Sequence, residues 1–225
     1  MRGERQVRIH NMVLHTKVLG PGIRSAVWFQ GCKRSCPGCM SPDSRPLTGG
    51  REVPVSEISD AILALRDIEG VTISGGEPFL QAEALYELCS RIRAASGLGI
   101  ILYTGYTVAE LRALRDPKVD AILSGLADLV IDGEYVEELN DGRGIRGSAN
   151  QQLHHIIGRY AGDERLEADP VRNVEVHVDR EDLFLVGVPR RELLDRWYTA
   201  VERVNGAEVE NRDDVPPDPP GRIPE

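Results

Sequence analysis

A chain of 225 residues, 41% hydrophobic and 5% aromatic, is long enough to bury one substantial core and ordinary for a soluble domain. Its net charge of −9 argues against generic nucleic-acid binding, and no apolar run approaches membrane-spanning length. Four cysteines, three of them within eight residues, suit a reducing compartment and a metal or cluster rather than a disulfide framework. The opening MRGERQVRIHNMVLH has no apolar signal core, so a cytoplasmic protein without a membrane span is expected.

Residues 1–24 read as a short, partly β entry segment, because Val7, Ile9, Val13 and Val18 set no clear period. Residues 25–30 form the first firm strand. A loop rich in proline and glycine follows over 40–54. Ser56 then caps a helix whose apolar positions are Ile58, Ile62, Leu65 and Ile68, with Gly70 ending it. Val71 to Ser74 is a second strand, and a helix from about Gln81 to Ala95 places Leu85, Leu88, Cys89 and Ile92 on one face. That makes Cys89 a core thiol. A third strand, Gly99 to Tyr103, leads to a capping box at Thr107 and Glu110; Asp116-Pro117 breaks that helix, and a further helix covers about 118–124. The strand Asp128 to Ile131 ends in Asp132-Gly133.

This alternation predicts an α/β fold with a parallel sheet, open or partly closed as a barrel. Its motifs fall at the carboxyl ends of successive strands, where such folds build their sites. Beyond residue 133 the pattern changes to loops and short helices. A hairpin follows over 174–188, and then a helix with Leu194, Trp197, Tyr198 and Val201 on one face. One domain over 1–205 is expected, with a core at about 10–155 and a C-terminal elaboration at 156–205. The acidic, proline-rich end, 206–225, reads as a disordered tail.

Cys32, Cys36 and Cys39 form a C-x3-C-x2-C pattern on the loop after the first firm strand. Three thiolates from one loop can hold three irons of a cubane and leave the fourth open. A zinc site usually wants a second pair of ligands, and a disulfide would leave one thiol over; spacing alone keeps both readings open. Gly75-Gly76-Glu77 allows close backbone approach to a ligand, with Glu77 able to accept from an ammonium group. His154 and His155 make poor joint ligands, since neighbours on regular structure point apart. The first 45 residues hold eight basic side chains against two acidic ones, which reads either as a solvated face or as a positive rim steering an acidic electron donor.

The segment GPGIRSAVWFQGCKRSCPGC, with SGGEP at 74–78 and RGSANQ at 146–151, resembles the radical S-adenosylmethionine (SAM) superfamily, and within it the activases of glycyl-radical enzymes. The likeness runs over roughly 10–155. It implies a partial (β/α) barrel-like sheet carrying a 4Fe-4S cluster on Cys32, Cys36 and Cys39, with SAM held near Gly75, Gly76 and Glu77. It also implies that Thr104 and Asp132 lie near SAM, around a monovalent cation, and that Arg146, Ser148, Asn150 and Gln151 contact SAM or the partner. The implied activity is reductive cleavage of SAM to a 5′-deoxyadenosyl radical. The implied partners are a glycyl-radical enzyme, here of the anaerobic ribonucleotide reductase kind, and a flavodoxin- or ferredoxin-type donor. Two departures stand out: Leu19 replaces an acid before GPG, and Gly38 stands where many members carry an aromatic that stacks on adenine. A small molecule or peptide as hydrogen donor, or a non-catalytic iron–sulfur or zinc module, are the competing readings.

Overall fold

The computed structural model describes residues 3–166, 172–179 and 182–211. The sequence-expected tail lies outside these from residue 212 onward. The residues divide into two compact units, the first ending at Arg190 and the second opening at Arg191.

The first unit is built on an open seven-stranded sheet in the order β3-β1-β2-β4-β5-β6-β7. Its four central strands, β2 (Arg24–Phe29), β4 (Gly70–Gly75), β5 (Gly99–Tyr103) and β6 (Leu129–Asp132), are parallel. Antiparallel strands flank them, β1 (Gln6–Thr16) and β3 (Arg51–Pro54) on one side and β7 (Gln152–His155) on the other. The edges β3 and β7 do not pair, so the sheet is not closed into a barrel.

Period-two alternation separates the faces. Val27, Phe29, Val71, Ile73, Ile100, Leu102 and Val130 turn to one side, where they pack with apolar residues of α1 (Val55–Ala64), α2 (Ala82–Ala95), α3 (Val108–Ala113) and α4 (Pro117–Ala121). Cys89 is fully buried in that layer, as its place on the helix face predicts. The other side is covered in two patches. Ile101, Leu129 and Ile131 meet Ile145, Tyr160 and Leu166, while Ala26 meets Val186 and Val188. Between these patches lies a cavity.

Several elements depart from expectation for identifiable reasons. β1 runs eleven residues, but register shifts between Ile9 and Asn11 and between Val13 and Thr16 erase its alternation. β3 sits inside the segment expected to be loop, and as an edge strand it tolerates Pro54. Ser56 does not cap α1. The helix starts straight from β3 at Val55, whose N–H donates to Arg5 O at 2.9 Å and so has a partner without a side-chain cap. It stops at Ala64, where Leu65 turns extended, well short of Gly70. The capping box of α3 forms in both directions between Thr107 and Glu110. The hairpin is present as β8 (Val174–Asp179) and β9 (Asp182–Gly187). The second unit is α5 (Arg191–Asn211), which passes the expected boundary at 206; Leu194, Trp197, Tyr198 and Val201 are among its partly buried positions.

Candidate active site

The four loops that leave the parallel strands at their carboxyl ends meet around the cavity. Cys32, Cys36 and Cys39 come from the loop after β2, Gly75, Gly76 and Glu77 from that after β4, Thr104 and Gly105 from that after β5, and Gly133 and Tyr135 from that after β6. Trp28, Ser74 and Tyr103, on the sheet face away from the helices, form the floor. Leu185, Gly187 and Val188 of the hairpin segment complete the wall.

The cysteine loop and the GGE loop are stitched together by backbone. Gly31 N donates to Ser44 O, Cys32 N to Arg45 O, Gly76 N to Phe29 O and Glu77 N to Gly31 O, each at 2.8 Å. This contact, rather than ligand approach, is what demands the glycines. A Cβ on Gly76 would sit 2.3 Å from Gly31 O, and one on Gly75, which has φ +114°, would sit 2.3 Å from both Phe29 N and O.

Glu77 is buried and engaged. Its Oε1 accepts from Phe79 N at 3.1 Å and Thr104 Oγ1 at 2.9 Å, and its Oε2 from Gly105 N at 2.8 Å. Burial raises its pKa, against the pull of those donors and of Arg34. The carboxylate thus ties the loops after β4 and β5 together, and both its oxygens already accept hydrogen bonds at the cavity edge.

Two of the thiols, those of Cys32 and Cys36, are biased toward their protonated form. Burial pushes Cys32 up and Cys36 up to about 11, and the Cys36 thiol lies 3.5 Å from Glu134 Oε1. Cluster assembly must therefore displace their protons. Among the described residues no three His, Cys, Asp or Glu side chains converge as a single-ion site. The three cysteines all line the cavity, and three thiolates from one loop suit a multi-iron cluster in which each binds a different iron. The residues fit a cubane better than one zinc ion.

The remaining expected residues divide. Thr104 lines the cavity; Asp132, Ser148 and Asn150 do not. Asp132 Oδ2 accepts from Val108 N at 2.6 Å and lies 3.0 Å from His154 Nε2, outside hydrogen-bond geometry. Ser148 Oγ accepts from Val136 N, and Asn150 Nδ2 donates to Glu134 O. The RGSANQ segment is held by Gln151, which does reach the cavity: Oε1 accepts from Gly147 N and Ser148 N, and Nε2 donates to Gly133 O. At Gly38 the backbone has φ +63°, which strains any other residue, and a Cβ there would lie 2.3 Å from Glu137 Oε1 and have to displace that carboxylate. Trp28, Tyr103 and Tyr135 are the aromatic walls instead.

The N-terminal basic excess does not form one rim. Arg5 pairs with Glu83 and Glu87, and Arg8 with Glu52. Arg24 is fully buried at the amino end of β2, where it donates to Thr72, Tyr160 and the carbonyls of Pro21, Val71 and Gly99. Arg34, on the cysteine loop, turns inward: it stacks 4.5 Å from the Tyr106 ring centre and pairs with Glu110 and Glu134. Lys33 is exposed. Sequence carried no signal for Arg34's role, since its partners lie 76 and 100 residues away.

Among the described residues no helix is long and apolar enough to cross a membrane. The profile of the family described as "4Fe-4S single cluster domain" matches residues 18–154. The chain is 34% identical to the anaerobic ribonucleoside-triphosphate reductase-activating protein of Salmonella typhimurium over 159 residues, covering 67% of this chain and 99% of that protein. The protein of the same name from Escherichia coli K12 is 33% identical over 147 residues, covering 62% of this chain and 92% of its own. The pyruvate formate-lyase-activating enzyme of Clostridium pasteurianum is 41% identical over 86 residues, or 36% of either chain. The hairpin that closes the cavity wall lies beyond the residues matched by the family profile.

Proposed function

The chain belongs to the radical SAM activating proteins of glycyl-radical enzymes, and from that premise we propose that it installs a glycyl radical on a partner akin to anaerobic ribonucleoside-triphosphate reductase. It is an oxidoreductase whose cofactors are a 4Fe-4S cluster and SAM. The observation that carries the reading is the meeting of three cysteines, the GGE loop and Thr104 around one cavity at the carboxyl ends of the parallel strands.

When bound, the cluster would supply the single electron for reductive cleavage of a carbon–sulfur bond of SAM, the source of the radical that abstracts hydrogen. The chain's own residues hold and aim. Cys32, Cys36 and Cys39 would bind three irons and leave the fourth for the amine and carboxylate of SAM. Gly75 and Gly76 hold the methionine-binding loop against the cysteine loop, and Glu77 locks Thr104 and Gly105 beside it. The flat base has Trp28, Tyr103 and Tyr135 to lie against, while Leu185 and Val188 exclude water. Asp132, Ser148 and Asn150 support these loops from behind. A monovalent cation would have Thr104 and Asp132 nearby. We read the open sheet, with the cavity between the two patches on its second face, as the incomplete barrel of the radical SAM type, its catalytic core at about 10–155 and its place the cytoplasm.

The test is isotopic. Reduced enzyme with SAM and its glycyl-radical partner is expected to give a glycine-centred EPR doublet, and deuterium at the glycine α-position is expected to appear in 5′-deoxyadenosine. Label arriving from a metabolite or short peptide instead would remove the activase reading and keep the radical chemistry. That second reading draws on one observation, the wall contributed by residues 185–188 from outside the matched region. A purely electron-carrying or zinc module does not stand beside relatives named as activating enzymes.

An acidic flavodoxin- or ferredoxin-type protein is the proposed electron donor, and Lys33 is the exposed base of the cysteine loop that would meet it. Lys33→Glu is expected to slow reduction by flavodoxin severalfold at low salt. The effect should shrink at high salt, because the screening length falls from about 30 Å at 0.01 M to about 3 Å at 1 M. Stopped-flow reduction checks this; an equal slowing with dithionite would place the charge's action on the cluster instead.

A further inference from the structure

Arg45 lines the cavity on the cysteine side, and among the described residues it has no countercharge. Its carbonyl accepts from Cys32 N–H at 2.8 Å, which fixes its backbone beside the first cysteine. Its Nη2 donates to Arg34 O at 3.3 Å, and among the described residues no carboxylate lies within ion-pair distance of it. Its Nε–H is buried and has no hydrogen-bond partner. Arg34, on the same side, also has an unpartnered Nε but is neutralised by two glutamates.

A guanidinium stays charged at any working pH. One that is partly buried, with a single long hydrogen bond and an orphaned N–H, is costly unless an anion joins it. The anion at hand is the group held on that side, a cluster bound through three thiolates that gains one more negative charge on reduction. We propose that Arg45 donates a charge-assisted hydrogen bond from Nε to a sulfur of the bound cluster and thereby raises its reduction potential. The proposal rests on Cys32, Cys36 and Cys39 being the ligands, which iron content and the cluster's own spectrum report separately.

The experiment uses full-length protein carrying arginine labelled with nitrogen-15 only in the guanidino group, its cluster reconstituted anaerobically and reduced without SAM. Electron–nuclear double resonance is expected to show nitrogen-15 coupled to the cluster, with the coupling lost in Arg45→Gln. At unchanged iron content, Arg45→Gln is expected to lower the one-electron reduction equilibrium about tenfold, about 59 mV in midpoint potential. Arg45→Lys, which keeps the charge, should recover most of that shift. Absence of coupling in the parent protein overturns the proposal, and that measurement stands even if Arg45→Gln fails to hold iron. An unchanged potential with weakened SAM binding also overturns it, because Arg45 would then serve the carboxylate of SAM.

Discussion

Serine at Cys32, Cys36 or Cys39 is expected to abolish both the cluster and SAM cleavage, whereas Cys89→Ser should keep both. The three cysteines all line the cavity. Cys89 lies fully buried on α2, among the apolar residues on the sheet's helical side. Parent protein reconstituted anaerobically should carry about four irons per chain, the content of a cubane. Each of the three variants should lose that content, since a hydroxyl is a poor substitute for a thiolate toward iron. Burial pushes the Cys89 thiol up to about 12, so it is neutral and inert at working pH. Iron analysis and anaerobic SAM cleavage decide the matter: a folded Cys89→Ser protein without iron would sink the assignment.

What was legible in sequence was local chemistry joined to period. The cysteine spacing, the GGE turn and the strand endings each occupy a few consecutive residues, and their order along βα units was enough to bring them to one rim. The capping box at Thr107 and Glu110 was equally local, and it formed as read. What escaped depended on distance. β7 has the sequence QLHH, no apolar run, and is a strand only because β6 offers it an antiparallel edge from Leu129 to Asp132. Ser56 looked like a cap because the backbone partner of α1, Arg5 O, comes from the residue just before β1, fifty positions earlier. Asp132 and Ser148 were drawn toward the ligand by family likeness, yet their side chains accept from backbone N–H groups of the surrounding loops. Gln151 belongs to the RGSANQ motif, but its hold on the backbone of Gly147, Ser148 and Gly133, like the two glutamate partners of Arg34, could not be read from spacing.

The glycine pair has a packing task that the ligand-based reading did not include, and it supplies a sharp test. Sequence reasoning needed Gly75 and Gly76 so that backbone could approach a ligand; the structure needs them so that two loops can approach each other. Gly76→Ala places its Cβ 2.3 Å from Gly31 O, 2.6 Å from Gly31 C and 2.7 Å from Ser44 O. All three are backbone atoms at the base of the cysteine loop and cannot swing aside as a side chain would. Relief requires the loops to part, which would strain the bonds from Glu77 N to Gly31 O and from Gly31 N to Ser44 O. Overpacking of this kind costs about 1–3 kcal/mol. Because the displaced segment carries Cys32, the variant is expected to lose most of its iron and its affinity for SAM together. Gly97→Ala is the control: nothing lies within 4 Å of its Cβ, and its stability should change by no more than about 0.5 kcal/mol. Denaturant unfolding, iron analysis and SAM titration on both variants separate the readings. If Gly76→Ala kept full iron and lost only SAM, the glycine would serve the ligand as first supposed, and the two loops would be less tightly joined than their hydrogen bonds indicate.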